Sequence, residues 1–184
     1  SLSPILIIIA LIIKFSEDKG PIFYKGERAS KGGRSFTLYK FRTMVPDAEL
    51  TGGPSTAIDD PRFTNIGRLL RKYKLDEIPQ FYNVLIGDMS LVGPRPQVLF
   101  YTEKYNGEEK LILEVKPGLT DLATIKFSDM DKILGSGDVD KKYSQEIEPI
   151  KNKLRIEYVK NMSLSLDLLI LFKTLFKIFR VGNK

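Results

Sequence analysis

Two stretches of the chain are strongly apolar, and the region between them is mixed. Ile5–Ile13 reads ILIIIALII, nine consecutive apolar residues with Ser3-Pro4 before them and Lys14 after. As a helix this run would be ~14 Å long, at ~1.5 Å per residue. That is too short for a hydrocarbon core ~30 Å thick. Its isoleucine richness alone favours a buried strand, and a core helix would also fit. A signal peptide fits poorly, because the run has neither a basic leader nor a small-residue cleavage site. The chain starts at Ser1 and not Met, which predicts that residues 1–14 are the second half of a longer hydrophobic hairpin. At the other end, Leu164 to Phe179 (LSLDLLILFKTLFKIF) is apolar over most of a helix circumference. Lys173, Thr174, Lys177 and Arg180 fall at i, i+1, i+4 and i+7, one narrow polar stripe. The pattern predicts an amphipathic helix over 164–180 lying in a membrane interface, with Lys173, Lys177 and Arg180 snorkelling to lipid phosphates. A core helix covered by the rest of the domain is the alternative.

Residues 15–163 read as one mixed α/β domain, helix-rich with a short β-hairpin. Pro21–Lys25 and Ser35–Met44 have strand character, and the turn between them, Gly26–Arg34, is rich in Gly, Lys and Arg. Residues 46–61 form a loop by their Gly, Pro and Asp content. A helix is predicted over Asn65–Lys72 and a second from Asp76 to Ile86, ended by Gly87-Asp88. Val92-Gly-Pro-Arg-Pro96 must be extended, since two prolines bracket Arg95. A short helix follows over Gln97–Tyr105, then a turn at Lys116-Pro117-Gly118. Lys141–Asn161 is predicted to be a charged, exposed helix.

Composition narrows the chemistry. The 184 residues contain no Cys and no His, which removes thiolate and imidazole mechanisms, His-ligated zinc and disulfide scaffolds. Catalysis would have to use carboxylates, Lys, Arg, Tyr, hydroxyls, backbone groups or a hard cation held through oxygen. The formal net charge of +6 favours partners that carry phosphate.

The densest chemistry lies at Arg71-Lys-Tyr-Lys-Leu-Asp-Glu-Ile-Pro-Gln80. Asp76 and Glu77 point about 100° apart on a helix and so cannot face one another across a substrate. An acidic helix start near Pro79 is the commoner meaning of such a sequence. Around it, however, stand Lys40, Arg42, Arg68, Arg71, Lys74 and Arg95. A carboxylate amid these cations is expected to stay ionised well below neutral pH. It could attack an electrophilic phosphorus or hold Mg²⁺ while Arg forks neutralise a diphosphate.

Four ordered segments carry a resemblance: Asp60-Pro-Arg-Phe-Thr-Asn-Ile-Gly-Arg-Leu-Leu-Arg71, Leu75-Asp-Glu-Ile-Pro-Gln80, Asn83-Val-Leu85 and Gly87-Asp-Met-Ser-Leu-Val-Gly-Pro-Arg-Pro96. With Lys40-Phe-Arg-Thr-Met44, Lys116-Pro-Gly-Leu-Thr120 and Ser163-Leu-Ser-Leu-Asp-Leu168, the chain resembles the bacterial sugar transferases, monotopic phosphoglycosyl transferases acting on polyprenol phosphate, over nearly its whole length. The resemblance implies transfer of a sugar 1-phosphate from a UDP-sugar to undecaprenyl phosphate, with release of UMP, at the cytoplasmic face of the bacterial inner membrane, as a first step of glycan assembly. It implies Asp76 as nucleophile and Mg²⁺ contact, with Glu77 assisting. Arg71 and Arg95 would bind phosphate or nucleotide, with Lys40 and Arg42 in support. It also implies a re-entrant helix broken at Ser3-Pro4. Four positions depart from the family pattern: Lys74 stands for Ser or Thr, Asp121-Leu-Ala-Thr124 for Gly-Leu-Ala-Gln, and Arg155 for Asp. An Asn-Gly-Arg is missing, leaving Lys126 as the nearest cation there. The departures leave donor contacts around 120–130, and the identity of the sugar, unassigned.

A non-catalytic module that binds anionic membranes or polyphosphate is the competing expectation; it has no use for two acids set among its cations. Nucleic acid is not an expected partner, because the basic residues form no contiguous patch interleaved with stacking aromatics.

Overall fold

The computed structural model describes residues 3–16, 19–53, 55–57, 59–128, 130–135 and 137–181. Helix α1 (Ser3–Lys14) lays Ile9 and Ile13 on Phe41 and Leu70, while Ile5, Ile7, Ile8, Leu11 and Ile12 stay exposed. The apolar run is therefore a helix, against its strand propensity, and it is docked along one side only.

Strands β1 (Phe23–Ala29) and β2 (Ser35–Phe41) form an antiparallel hairpin in which Phe23 pairs with Phe41 and Ala29 with Ser35. The predicted turn is shorter than its glycine content suggested. β1 runs through Gly26, and the reversal is confined to Ser30–Arg34, where Gly32 and Gly33 take φ of 74° and 75°. Phe36 and Leu38 face inward onto Met89 and Val84.

Helix α2 (Asn65–Lys72) begins where Thr64 Oγ1 accepts the Gly67 N–H at 2.9 Å, an N-cap of the ordinary kind. Gly67 lies against the Thr43 carbonyl so closely that a Cβ there would stand 1.9 Å from that oxygen. The predicted helix from Asp76 to Ile86 is instead two pieces: a 3₁₀ turn over Leu75–Glu77 and α3 (Gln80–Leu85). Pro79 has no N–H to donate back to Leu75. Ile78 N–H takes the Leu75 carbonyl instead, at 3.3 Å.

Strands β3 (Ser90–Val92) and β4 (Gly118–Thr120) pair in parallel. Between them come α4 (Leu99–Thr102) and a 3₁₀ segment over Gly107–Glu114. Helices α5 (Leu122–Lys126), α6 (Met130–Leu134) and α7 (Val139–Lys142) follow. A π-turn over Tyr143–Ile147 leads into α8 (Glu148–Lys160), and α9 (Leu164–Val181) closes the chain.

Helix α8 corrects an expectation. It is charged, but it is not simply exposed: Asn152, Arg155 and Tyr158 are buried. The Tyr158 hydroxyl donates to Asp167 Oδ1 at 2.8 Å and ties α8 to α9. Helix α9 seats Ile170 against Val92 and Tyr158 and turns Leu164, Leu168, Leu169, Phe172, Leu175, Phe176 and Ile178 outward. Its polar stripe turns partly inward. Thr174 and Thr120 share a hydroxyl hydrogen bond at 2.8 Å, and Lys177 donates to the Ile125 carbonyl. Lys173 is exposed; the Arg180 and Ser3 side chains lie outside the described residues. Among the described residues no helix is long and apolar enough to cross a membrane.

Candidate active site

The break at Pro79 has a chemical consequence. Lys74 adopts a left-handed φ of 57° and starts a turn in which Asp76 is the second residue. Asp76 is buried at 3 % exposure, and its Oδ1 has no hydrogen-bond partner. One helical step on, Gln80 is wholly buried and neither atom of its amide is bonded. Buried polar atoms are normally paired, so these atoms are exceptions and are available to a ligand. Asn83 fixes the element that carries them. Its side-chain oxygen accepts the Tyr39 N–H at 3.1 Å, and its amide donates to the Thr37 carbonyl at 2.8 Å, pinning α3 to β2.

Glu77 has a different environment. Its Oε1 is paired with Arg95 Nη2, while Arg95 Nη1 donates to the Leu119 carbonyl at 3.0 Å. The backbone N–H of Arg95 donates to Asp121 Oδ2 at 2.9 Å. The prolines on either side limit the backbone freedom of Arg95, so the guanidinium is oriented before any substrate arrives.

The two neighbouring acids therefore titrate apart. Burial, then the adjacent Glu77 charge, pushes Asp76 above the usual carboxylate range, with Lys40, Arg71 and Lys74 acting in the other direction. This corrects the expectation that Asp76 sits well below it; the cations do not outweigh desolvation. For Glu77, burial also works upward, but Arg95, Lys40 and Lys74 prevail and hold it at about 2. Lys40 is lowered to about 8, chiefly by burial, though both acids favour its charge.

Of the cations predicted to serve the site, Lys40, Arg71 and Arg95 are brought to the acid pair. Arg71 stacks on Phe63 at 4.6 Å and donates to Thr56 Oγ1 at 3.2 Å. Arg42 is not part of this group. It is buried and donates to the Ile13 carbonyl at 3.3 Å and Ser16 Oγ at 3.2 Å, so it fastens the end of α1. Lys126 lies near the Phe127 ring at 5.8 Å, with no described contact to the acids. Pro4 stands in the first turn of α1.

Among the described residues no three acids converge, and Glu77 is engaged by Arg95. Asp76 Oδ1 is buried and unpaired, the kind of single carboxylate that Mg²⁺ uses when water and substrate phosphates complete its shell.

Sequence reasoning missed Gln80, Asn83 and the partnership of Asp121 with Arg155. Asp121 and Arg155 had stood out only as unusual residues at their positions. Nothing local joins residues 34 apart in the chain.

The site thus sets a desolvated acid beside a clamped one, among cations, on a domain whose first and last helices expose apolar faces. A family model described as bacterial sugar transferase matches residues 1–181, and the chain belongs to that family. It is 35% identical over 178 residues to an Aeromonas hydrophila protein named UDP-N-acetylgalactosamine-undecaprenyl-phosphate N-acetylgalactosaminephosphotransferase, covering 94% of this chain and 38% of that one. It is 36% identical over 181 residues to the UDP-glucose:undecaprenyl-phosphate glucose-1-phosphate transferase of Klebsiella pneumoniae, covering 97% and 37%. It is 37% identical over 188 residues to the exopolysaccharide production protein ExoY of Rhizobium meliloti, covering 94% and 76%. The chain thus spans about two fifths of the length of the first two of these relatives.

Proposed function

We propose that this protein transfers a sugar 1-phosphate from a UDP-sugar to undecaprenyl phosphate in two displacements. The observation that carries the reading is the unequal acid pair: Asp76 desolvated, with Oδ1 making no hydrogen bond, and Glu77 neutralised by Arg95. A desolvated carboxylate is a stronger nucleophile than a solvated one. Its oxygen attacks the β-phosphorus of the donor, the bond from that phosphorus to the bridging oxygen breaks, and UMP leaves. An oxygen of the lipid phosphate then attacks the same phosphorus and frees the Asp76 carboxylate. Neither nucleophile needs a base, which suits a chain without His.

Arg95, Arg71 and Lys40 would neutralise the diphosphate. Mg²⁺, held through Asp76, supplies further charge neutralisation when bound. The exposed apolar faces of α1 and α9 support attachment to a membrane surface, which in this reading is the cytoplasmic face. The names of the relatives above support the donor and acceptor class and leave the sugar open, since they differ in it.

Purified protein in detergent with Mg²⁺, polyprenol phosphate and a panel of UDP-sugars is expected to release UMP from at least one donor. Asp76→Asn is expected to abolish release. A variant that turns over as fast as the unmodified protein removes Asp76 from the chemistry.

A further inference from the structure

A second charged pair, which the proposed reaction does not use directly, meets the backbone of Arg95. Asp121 and Arg155 are buried at 0 % and 1 % exposure. Arg155 Nε lies 3.6 Å from Asp121 Oδ2, too far for a hydrogen bond but close enough for strong attraction in a dry interior. Both oxygens of Asp121 are already committed to backbone. Oδ1 accepts the Thr124 N–H at 2.5 Å and caps α5, and Oδ2 accepts the Arg95 N–H at 2.9 Å. Arg155 is in turn held from its own helix, with Nη1 donating to Asn152 Oδ1 at 3.0 Å. The Tyr105 hydroxyl donates to the same oxygen at 3.4 Å, and the Asn152 amide donates to Glu109 Oε1 at 2.9 Å.

A chain of polar contacts therefore runs from α8 to the acid pair: Asn152, Arg155, Asp121, the backbone of Arg95, its guanidinium, and Glu77. A buried ion pair is a weak source of stability, since desolvation offsets most of its attraction. Its cost is more easily understood if it holds something in place. We propose that Asp121 and Arg155 are positioning residues, which lock the backbone at Arg95 so that its guanidinium meets Glu77 and the donor diphosphate in one fixed orientation. Arg155 keeps Asp121 ionised and aimed; Asp121 holds Arg95. The kinetic half of this inference rests on the transferase reading; the structural half does not.

Asp121→Ala frees the Arg95 N–H and leaves Arg155 as an uncompensated buried cation. It is expected to lower both stability and UMP release, the latter by about 10²-fold in kcat/KM, the cost of ~1 Å of misplacement. Adding Arg155→Met removes the stranded cation, so stability should recover while activity should not. Activity that returns along with stability would show the pair to be structural only and overturn the proposal. Where Asp121→Ala does not fold, Asp121→Asn serves. It keeps the shape but has one acceptor oxygen for two N–H groups, and is expected to lose turnover while keeping its fold. Normal turnover in Asp121→Asn overturns the proposal. Arg155→Lys should retain more activity than Arg155→Met, and equal activities count against the charge role.

The structural half is read without turnover. In denaturant unfolding, Glu77→Gln and Asp121→Asn do not touch one another, yet are expected to be non-additive by about threefold or more in the unfolding equilibrium. Strict additivity contradicts the chain of contacts even if no UDP-sugar proves to be a donor. Failure of the unmodified protein to release UMP, with the coupling present, overturns the transferase reading and leaves the positioning intact.

Discussion

Replacing Arg95 by Met tests the charge division between the two acids. Arg95 is the largest favourable influence on the Glu77 charge, and the pair is mostly shielded, at 22% and 20% side-chain exposure. Holding Glu77 at about 2 instead of 4.5 corresponds to ~3 kcal/mol between its two protonation states, at ~1.4 kcal/mol per unit. That figure is shared with Lys40 and Lys74, so the loss of Arg95 alone should cost about 2 kcal/mol near pH 7. The pH window follows from the direction of the shift. A carboxylate lowered by folding contributes stability that is fully present above 4.5 and disappears as pH falls through about 2. The stability gap between the unmodified protein and Arg95→Met, from urea melts, should be constant from pH 7 to 5 and shrink steadily toward pH 2. Other acids titrate alike in both proteins and cancel. A gap below ~0.5 kcal/mol at pH 7, or one that does not change with pH, would refute the reasoning. Arg95→Lys should recover part of the gap, since it keeps a charge but not the bond to Leu119.

Lys40, lowered to about 8 by burial, should lose its charge through the mildly alkaline range. The KM for the UDP-sugar should rise above pH 8 and stay flat in Lys40→Arg, as read from initial rates of UMP release. Gly67→Ala would place a Cβ 1.9 Å from the Thr43 carbonyl oxygen and force α2 away from the segment that follows β2. Overpacking of this kind costs ~1–3 kcal/mol or more, so a melt should shift down by about 4 °C or more. Phe172→Asp with Phe176→Asp removes two exposed rings from the outer face of α9. Each buries ~1.5–3 kcal/mol in lipid, so flotation with phosphatidylglycerol vesicles should fall at least tenfold per site. Unchanged flotation would remove α9 from membrane attachment.

The elements that the amino-acid pattern predicted well are those whose signals are local. The hairpin follows from two strand-like runs joined by a turn rich in Gly, Lys and Arg, and α2 occupies the residues read as a helix, Asn65–Lys72. The acid pair was legible because charged residues cluster around it in sequence, whereas the pairing of Arg95 with Glu77 was not, since Arg95 was expected to meet phosphate. The errors have a common physical origin in tertiary burial. Arg42 and Arg95 look alike along the chain, yet one fastens α1 and the other meets Glu77. Lys177 belongs to a stripe suited to lipid phosphates, but the Ile125 carbonyl lies within its reach. Helix α8 reads as solvated, since a buried Arg155 and its counter-charge Asp121 come from separate segments. The raised pKa of Asp76 was missed for the same reason: sequence counts the cations but not the water removed.

The central claim is that Asp76 carries the sugar phosphate between donor and lipid. The direct measurement is intact-protein mass spectrometry after mixing the protein with Mg²⁺ and a UDP-sugar that supports UMP release, with polyprenol phosphate left out. The account predicts a mass increase of one sugar phosphate, mapped by peptide digestion to Asp76, chased away by adding polyprenol phosphate and absent in Asp76→Asn. UMP release at full rate with no adduct at any residue, or an adduct that persists in Asp76→Asn, would contradict it.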